Sequence, residues 1–226
     1  MTNIENDYNC YDYRFKLSIV GDEFVGKTCL LHRLIYKNFK QYIEPTIGID
    51  FDTITIDIDD KKTKLHIWDL GGQPRFKEIR EYYLKNISGF ILVFDLTNRK
   101  TFNNIINWMT KLKKHINSAY IIIIGNKKDD LKNREVNKME AIMLAKEYHT
   151  YYIETSAKTG ENILDPFICI STIIINNIIK PIINNEKELM KIVVKKGISI
   201  NNKKPEKNYR YNICSISSLF ENLNIL

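Results

Sequence analysis

Two glycines, a lysine and a threonine fall at fixed spacing in Gly21-Asp22-Glu23-Phe24-Val25-Gly26-Lys27-Thr28, between an apolar run, Phe15 to Val20, and a helix-like run, Cys29 to Tyr36. In that setting G-x-x-x-x-G-K-[ST] is a loop able to wrap a polyphosphate. Amides of the loop and of the first helical turn have no partner within the helix. They also carry the positive end of its dipole, so they converge on an anion. Lys27 is spaced to reach the β and γ phosphates, and the Thr28 hydroxyl to hold Mg²⁺. The plainer reading is a glycine turn with an exposed lysine, which needs strand, spacing and helix to coincide by chance.

The elements that must hold this loop follow from periodicity. Arg14 to Val20 reads as a strand and Lys27 to Lys37 as a helix through Leu30, Leu31, Leu34 and Ile35. Ile54, Ile56 and Ile58 alternate with Thr55, Asp57 and Asp59, a half-exposed strand that turns at Asp59-Asp60 and returns over Thr63 to Leu70. Ser88 to Phe94 and Tyr120 to Ile124 are apolar runs suited to strands buried on both faces, and Tyr151 to Ile153 is a short last strand. Phe76 to Lys85 reads as a short amphipathic helix. Phe102, Ile105, Ile106, Met109, Leu112 and Ile116 mark another, with Thr101 as its N-cap. Asn137 and Glu140 have capping-box spacing ahead of a helix through Ala141, Leu144, Ala145 and Tyr148. A final helix over 162–179 takes Asp165 as cap and Pro166 at its first position, and stops at Pro181. The sum is an α/β fold: a mixed, mostly parallel six-stranded sheet with helices on both faces. Ligands of such sheets sit beyond the carboxyl ends of the strands.

Composition bounds the rest. The 226 residues, 44% apolar, suffice for one globular domain over 14–180, with a polar, flexible extension over 1–13 and a basic tail over 181–226. Cysteines 10, 29, 169 and 214 lack the spacing of a disulfide framework or a zinc site, which fits a reducing compartment. Of the formal net charge of +7, residues 180–226 carry +5, as nine Lys/Arg against four Asp/Glu. The body is therefore nearly balanced, and nucleic-acid binding is the weakest reading. The N-terminus lacks the features of a signal peptide, position 2 is not the glycine of myristoylation, and the apolar stretch Pro166 to Ile179 is too short to span a bilayer. A cytoplasmic location, with peripheral membrane contact through the tail, is the expectation.

Four more strings stand at the ends of strands: Glu44-Pro45-Thr46-Ile47-Gly48-Ile49-Asp50-Phe51, Trp68-Asp69-Leu70-Gly71-Gly72-Gln73, Asn126-Lys127-Lys128-Asp129 and Glu154-Thr155-Ser156-Ala157-Lys158. Each alone has a bland reading, such as a loop threonine, a turn-capping aspartate or a surface amide. With the phosphate loop, and in this order, they resemble the Ras superfamily of small GTPases, the Rab branch in particular, over about residues 14 to 180. The resemblance implies a P-loop NTPase small G domain that binds GTP and GDP with Mg²⁺ and hydrolyses GTP. Such a domain is a molecular switch in membrane traffic or related signalling.

It also implies roles residue by residue. Glu23, Phe24, Val25, Gly26, Lys27, Thr28 and Cys29 would contact the nucleotide, and Phe39 would lie against the guanine. Thr46, in switch I, would give its hydroxyl to Mg²⁺ and its amide to the γ-phosphate, while Asp69 would hold Mg²⁺ through water. In switch II the Gly72 amide would sense the γ-phosphate and Gln73 would orient the attacking water. Gln73, Lys27 and Thr46 are thus the catalytic set. Asp129 would accept from the N1–H and 2-amino group of guanine, which adenine does not offer. Asn126 and Lys127 would tie this loop to the phosphate loop and cover the base. Ser156, Ala157 and Lys158 would complete its pocket, with the Ala157 amide toward the guanine O6. An exchange factor, a GTPase-activating protein and effectors would engage switch I, switch II and the hairpin over 54–68.

This sequence departs from the family pattern in three places. Leu70-Gly71 replace Thr-Ala and Pro74 replaces Glu in switch II, an Arf-like touch in which the added glycine loosens the loop and Pro74 stiffens it. Glu23 and Phe24 occupy places that are glycines in Ras. A carboxylate at Glu23 opposes an anionic γ-phosphate, which implies slow intrinsic hydrolysis. The chain ends Leu223-Asn224-Ile225-Leu226, without the C-a-a-X signal of prenylation. Its basic segment Lys187 to Arg210, followed by Ile213, Ile216, Leu219, Phe220 and Leu223, fits an anionic membrane surface, a partner groove or a plain solvated tail. Vesicle flotation with and without the tail separates these. A GTP-binding scaffold with negligible hydrolysis shares every binding motif, whereas another P-loop nucleotidase shares only the phosphate loop and the strand-end Asp69.

Overall fold

Six strands form one sheet. In chain order they are β1 (Tyr13–Gly21), β2 (Ile49–Ile58), β3 (Lys61–Leu70), β4 (Gly89–Asp95), β5 (Tyr120–Asn126) and β6 (Tyr151–Glu154). The computed structural model describes residues 11–41, 44, 46, 48–71, 83–84, 86–113 and 119–183, of which 178–183 are described in backbone only. The sheet order is β2-β3-β1-β4-β5-β6, with β2 antiparallel to β3 and every other pairing parallel. Hydropathy explains that order. All seven residues of β4 are buried, as a strand covered on both faces requires, whereas β2 alternates and takes an edge.

Helix α1 (Lys27–Tyr36) and the last helix, α5 (Asp165–Ile183), cover one face. Leu30, Leu34, Phe167 and Ile170, each fully buried, pack there against Leu17, Ile19, Leu65 and Ile67. Helices α2 (Arg99–Asn103), α3 (Ile105–Leu112) and α4 (Lys138–Glu147) cover the other, where Ile105, Trp108, Leu112 and Ala141 meet Phe90, Leu92 and Phe94. At about 25 cal/mol per Å² of apolar surface removed from water, these two layers hold the parallel strands in register. That register brings the strand ends Gly21, Asp69, Asp95 and Asn126 to one edge of the sheet.

Several local expectations need correction. Thr101 does not cap a helix. Asn98 does, its side chain accepting from Lys100 N, because the helix opens three residues earlier than its apolar spacing suggests. Thr101 Oγ1 instead accepts from Asp95 N at 2.9 Å and donates to Asn98 O at 2.8 Å. The expected single helix is also broken at Asn104, between α2 and α3.

In α5, Leu164 O accepts from Phe167 N and Ile168 N, so Asp165 and Pro166 lie inside the first turn and Asp165 is not the cap. Pro181 does not stop that helix, which runs to Ile183. Within the final turn a proline forfeits a single backbone hydrogen bond, and little helix remains to be disrupted. At the other end β1 begins at Tyr13, and Asp12 is tied down, its N–H donating to Lys62 O and its carboxylate accepting from Lys62 N and Lys61 Nζ. The Asn137–Glu140 capping box is present. The expected helix from Phe76, apart from Tyr83 and Leu84, the end of the expected helix at Ile116 and the sequence beyond Ile183 lie outside the described residues, as do residues 1–10.

Candidate functional site

The chain leaves β1 at Gly21, with φ 143° and Val93 O so close that a Cβ would come within 2.1 Å of it. Only glycine allows that turn. Gly26 ends the loop at φ 91° and opens α1, its carbonyl accepting from Leu30 N at 2.9 Å. Between them Phe24 sits in the left-handed region at φ 62°, 75% exposed, a backbone state costly for an aromatic residue. Lys27 is folded back under the loop, its Nζ donating to Gly21 O at 3.0 Å and Asp22 O at 2.6 Å. It is buried, and its ammonium lines a cavity of about 600 Å³ that opens along this edge of the sheet.

Three oxygens meet on one side of that cavity. Thr28 Oγ1 lies 2.7 Å from Thr46 Oγ1 and donates to Asp69 Oδ2 at 2.5 Å, and Thr46 Oγ1 reaches the same carboxylate oxygen at 3.3 Å. Asp69 is fully buried, and its other oxygen, Oδ1, has no hydrogen-bond partner among the described residues. Burial pushes this carboxyl well above the usual carboxylate range, against the lowering effect of the Thr28 hydrogen bond and the Lys27 charge. An unsatisfied buried carboxylate oxygen beside two hydroxyls is a hard, all-oxygen donor set of the kind Mg²⁺ takes, and a bound cation would reverse that shift. The residues fit the metal.

Gly71 has a different part from the one expected. Its N–H donates to Gly48 O at 3.0 Å, and a Cβ on it would come within 2.7 Å of Thr46 O. This glycine lets the end of β3 touch the Thr46 segment, so it permits close packing here rather than slack.

On the other side of the cavity, Asn126 at the end of β5 is buried and acts as a hub. Its Nδ2 donates to Val25 O at 2.9 Å, while its Oδ1 accepts from Thr155 Oγ1 at 3.2 Å and Ala157 N at 3.3 Å. A Cβ on Gly26 would come within 2.4 Å of that Nδ2, which is why the loop can lie so near. Lys127, at φ 66°, pairs through Nζ with Asp95 Oδ2 at 2.6 Å. The Asp129 carboxylate accepts from Ser156 Oγ at 2.5 Å, with Lys158 Nζ 3.9 Å from its other oxygen. A segment 27 positions further along the chain therefore holds this carboxylate.

Most of the expected site residues line the one cavity. Glu23, Phe24, Gly26, Lys27, Thr28, Cys29, Phe39, Thr46, Asn126, Lys127, Asp129, Ala157 and Lys158 all do so. Val25, Asp69 and Ser156 stand behind its wall, acting through the bonds just given. Burial pushes the Cys29 thiol up, which keeps it protonated and inert. Gly72 and Gln73 lie outside the described residues, as does Pro45. Gln41, Glu44 and Asp130 also line the cavity and carry no sequence signal beyond their neighbourhood. Asp22 and Asp95 were missed as well. The hydrophilic residue after Gly21 and the aspartate closing an apolar strand were the available cues.

Comparison with known proteins agrees with this geometry. The model of the Ras family matches residues 16–176. The Ras-related protein Rab-13 of Canis lupus familiaris is 44% identical over 158 residues, covering 70% of this chain and 78% of that protein. The human Ras-related protein Rab-8B is 44% identical over 162 residues, 71% of this chain and 78% of its own length. The human Ras-related protein Rab-4A is 40% identical over 169 residues, 74% and 78% respectively.

Proposed function

The chain belongs to the Ras family as a Rab-like small GTPase, a GTP-binding switch of membrane traffic, and on that premise we propose how its own residues run the switch. Lys27, held at the loop by two carbonyls, binds the β and γ phosphates, and the amides of Glu23 to Cys29 surround them. Thr28, Thr46 and, through water, Asp69 would hold Mg²⁺, which would supply charge neutralisation at the phosphates. Thr46 comes from a loop and not from a strand, so the γ-phosphate orders that loop and its loss releases it. Gln73 orients the water that attacks the γ-phosphorus, and the Gly72 amide registers the same phosphate. Phe39 lies against the base, and Asn126 and Lys127 hold it with the Ala157 amide and Lys158. Regulators and effectors read the two switches and the β2–β3 hairpin, and the basic tail meets an anionic membrane surface.

The observation that carries this reading is the meeting of the Thr28 and Thr46 hydroxyls at the buried Asp69 carboxylate, whose other oxygen has no partner among the described residues. The hydroxyls are 18 positions apart and the carboxylate 41 from Thr28, so the fold gathers them for a common ligand. Base identity is the part most exposed to test. Asp129→Asn removes a charged acceptor worth about 1.5–3 kcal/mol, so GDP binding should weaken about ten- to hundredfold while xanthosine diphosphate gains. Equal competition by ATP and GTP against labelled GDP on the wild type would overturn the guanine assignment.

A further inference from the structure

Asp22, in the phosphate loop, turns its side chain toward the segment that opens helix α3. Its Oδ1 accepts from Asn104 Nδ2 at 2.6 Å and from Trp108 Nε1 at 2.8 Å. Its own carbonyl oxygen accepts from Lys27 Nζ at 2.6 Å, beside the Gly21 carbonyl at 3.0 Å. A single residue therefore stands between helix α3 and the ammonium that lines the cavity.

Both donors to Asp22 are themselves fixed. Asn104 is the joint between α2 and α3, its N–H donating to Lys100 O and Phe102 O and its side-chain oxygen accepting from Asn107 Nδ2 at 2.6 Å. Trp108 is 7% exposed and packed with Ile105, Met109 and Leu112 in the core beneath α3. Asn104 stands where α2 gives way to α3, and its side-chain amide reaches the loop from there. A lysine ammonium on a four-carbon stem is a flexible point charge, so its direction is set by whatever carbonyls hold it. A carboxylate gripped by two donors fixes the peptide that bears one of those carbonyls.

We propose that Asp22 is a positioning residue for Lys27: Trp108 and Asn104 pin its carboxylate, and the pinned Asp22 carbonyl aims the lysine ammonium at the β and γ phosphates. This rests on the reading of Lys27 as the phosphate-binding lysine. It ties the phosphate site to a helix on the far side of the sheet edge, through side chains that make no contact with the nucleotide.

The test is competition of GMP, GDP and GTP against a fluorescent GDP on the full chain, because GMP lacks the phosphates that Lys27 serves. Asp22→Ala should weaken GDP and GTP about ten- to hundredfold, the worth of a charge-assisted contact, and shift GMP by less than about threefold. Trp108→Phe keeps the packed ring and removes one donor, so GDP should weaken about fivefold with GMP again little changed. Asp22→Asn keeps an acceptor oxygen and should recover most of the loss.

Equal weakening of GMP and GDP would reduce Asp22 to a structural strut and overturn the proposal. So would unchanged GDP affinity in both Asp22→Ala and Trp108→Phe. If Asp22→Ala does not fold, Trp108→Phe makes the same comparison. A wild type that fails to prefer GDP over GMP would instead overturn the role of Lys27, a different result from either.

Discussion

Glu23 lines the same cavity as Lys27. A carboxylate turned into that cavity would oppose the charge gathering on the γ-phosphate oxygens during hydrolysis. Glu23→Gly should therefore speed single-turnover hydrolysis roughly tenfold, equivalent to about 1.4 kcal/mol, and an unchanged rate would remove Glu23 from the account. The residues proposed to serve the ligand were the legible ones. Lys27 and Thr28 stand out by the spacing of the phosphate loop, and Thr46, Asp69 and Asp129 only through the resemblance of their strings, taken in order, to the small GTPases. Asp22 and Asp95 were not legible. They act by gripping Trp108, Asn104 and Lys127, and nothing in a linear sequence places partners from separate segments side by side.

Helices and strands were read well where apolar periodicity speaks and poorly where a polar side chain decides. The apolar runs of β4 and β5 placed both strands to within a residue or two. The start of α2 was misread because Asn98 and Thr101 are both competent caps, and the choice depends on Thr101 being needed at Asp95 N.

The segment between β5 and α4 is tied to β6 by another such contact. Arg134 grips Glu154 through both terminal nitrogens, at 2.5 and 3.1 Å, and Tyr152 donates to the same carboxylate at 2.9 Å. Burial pushes the Glu154 carboxyl up, but the hydrogen bonds from Arg134 and Tyr152 and the Arg134 charge outweigh it, so it rests below its ordinary 4.5. A group depressed on folding adds stability that is complete above its unfolded value and is lost as pH falls through its folded one. Arg134→Met leaves a nearly buried charge unpaired and should destabilise by about 3 kcal/mol near neutral pH. The gap in Tm between wild type and variant should then close as the solution is acidified below 4.5. A gap that stays constant across that range would show the pair to be a packing contact only.

For the molecule as a whole, the parallel order β3-β1-β4-β5-β6 is what turns scattered motifs into a site. It gathers the ends of β1, β3, β4 and β5 at one edge, and a single cavity collects thirteen of the anticipated residues there. Fold class was legible because alternating strands and helices with one early hairpin allow few topologies. Finer features depended on contacts: Gly71 against Thr46, the join at Asn104, and Asp12 against β3. The central claim is that this assembly binds GTP and cuts it with water held by Gln73. Single-turnover hydrolysis of γ-labelled GTP by the full chain, with the co-purified nucleotide identified in the same sample, tests it most directly. The account predicts a bound guanine nucleotide, release of one phosphate per GTP, and loss of that release with retained binding in Gln73→Leu. GTP left intact by the wild type, or cleaved as fast by Gln73→Leu, would contradict it.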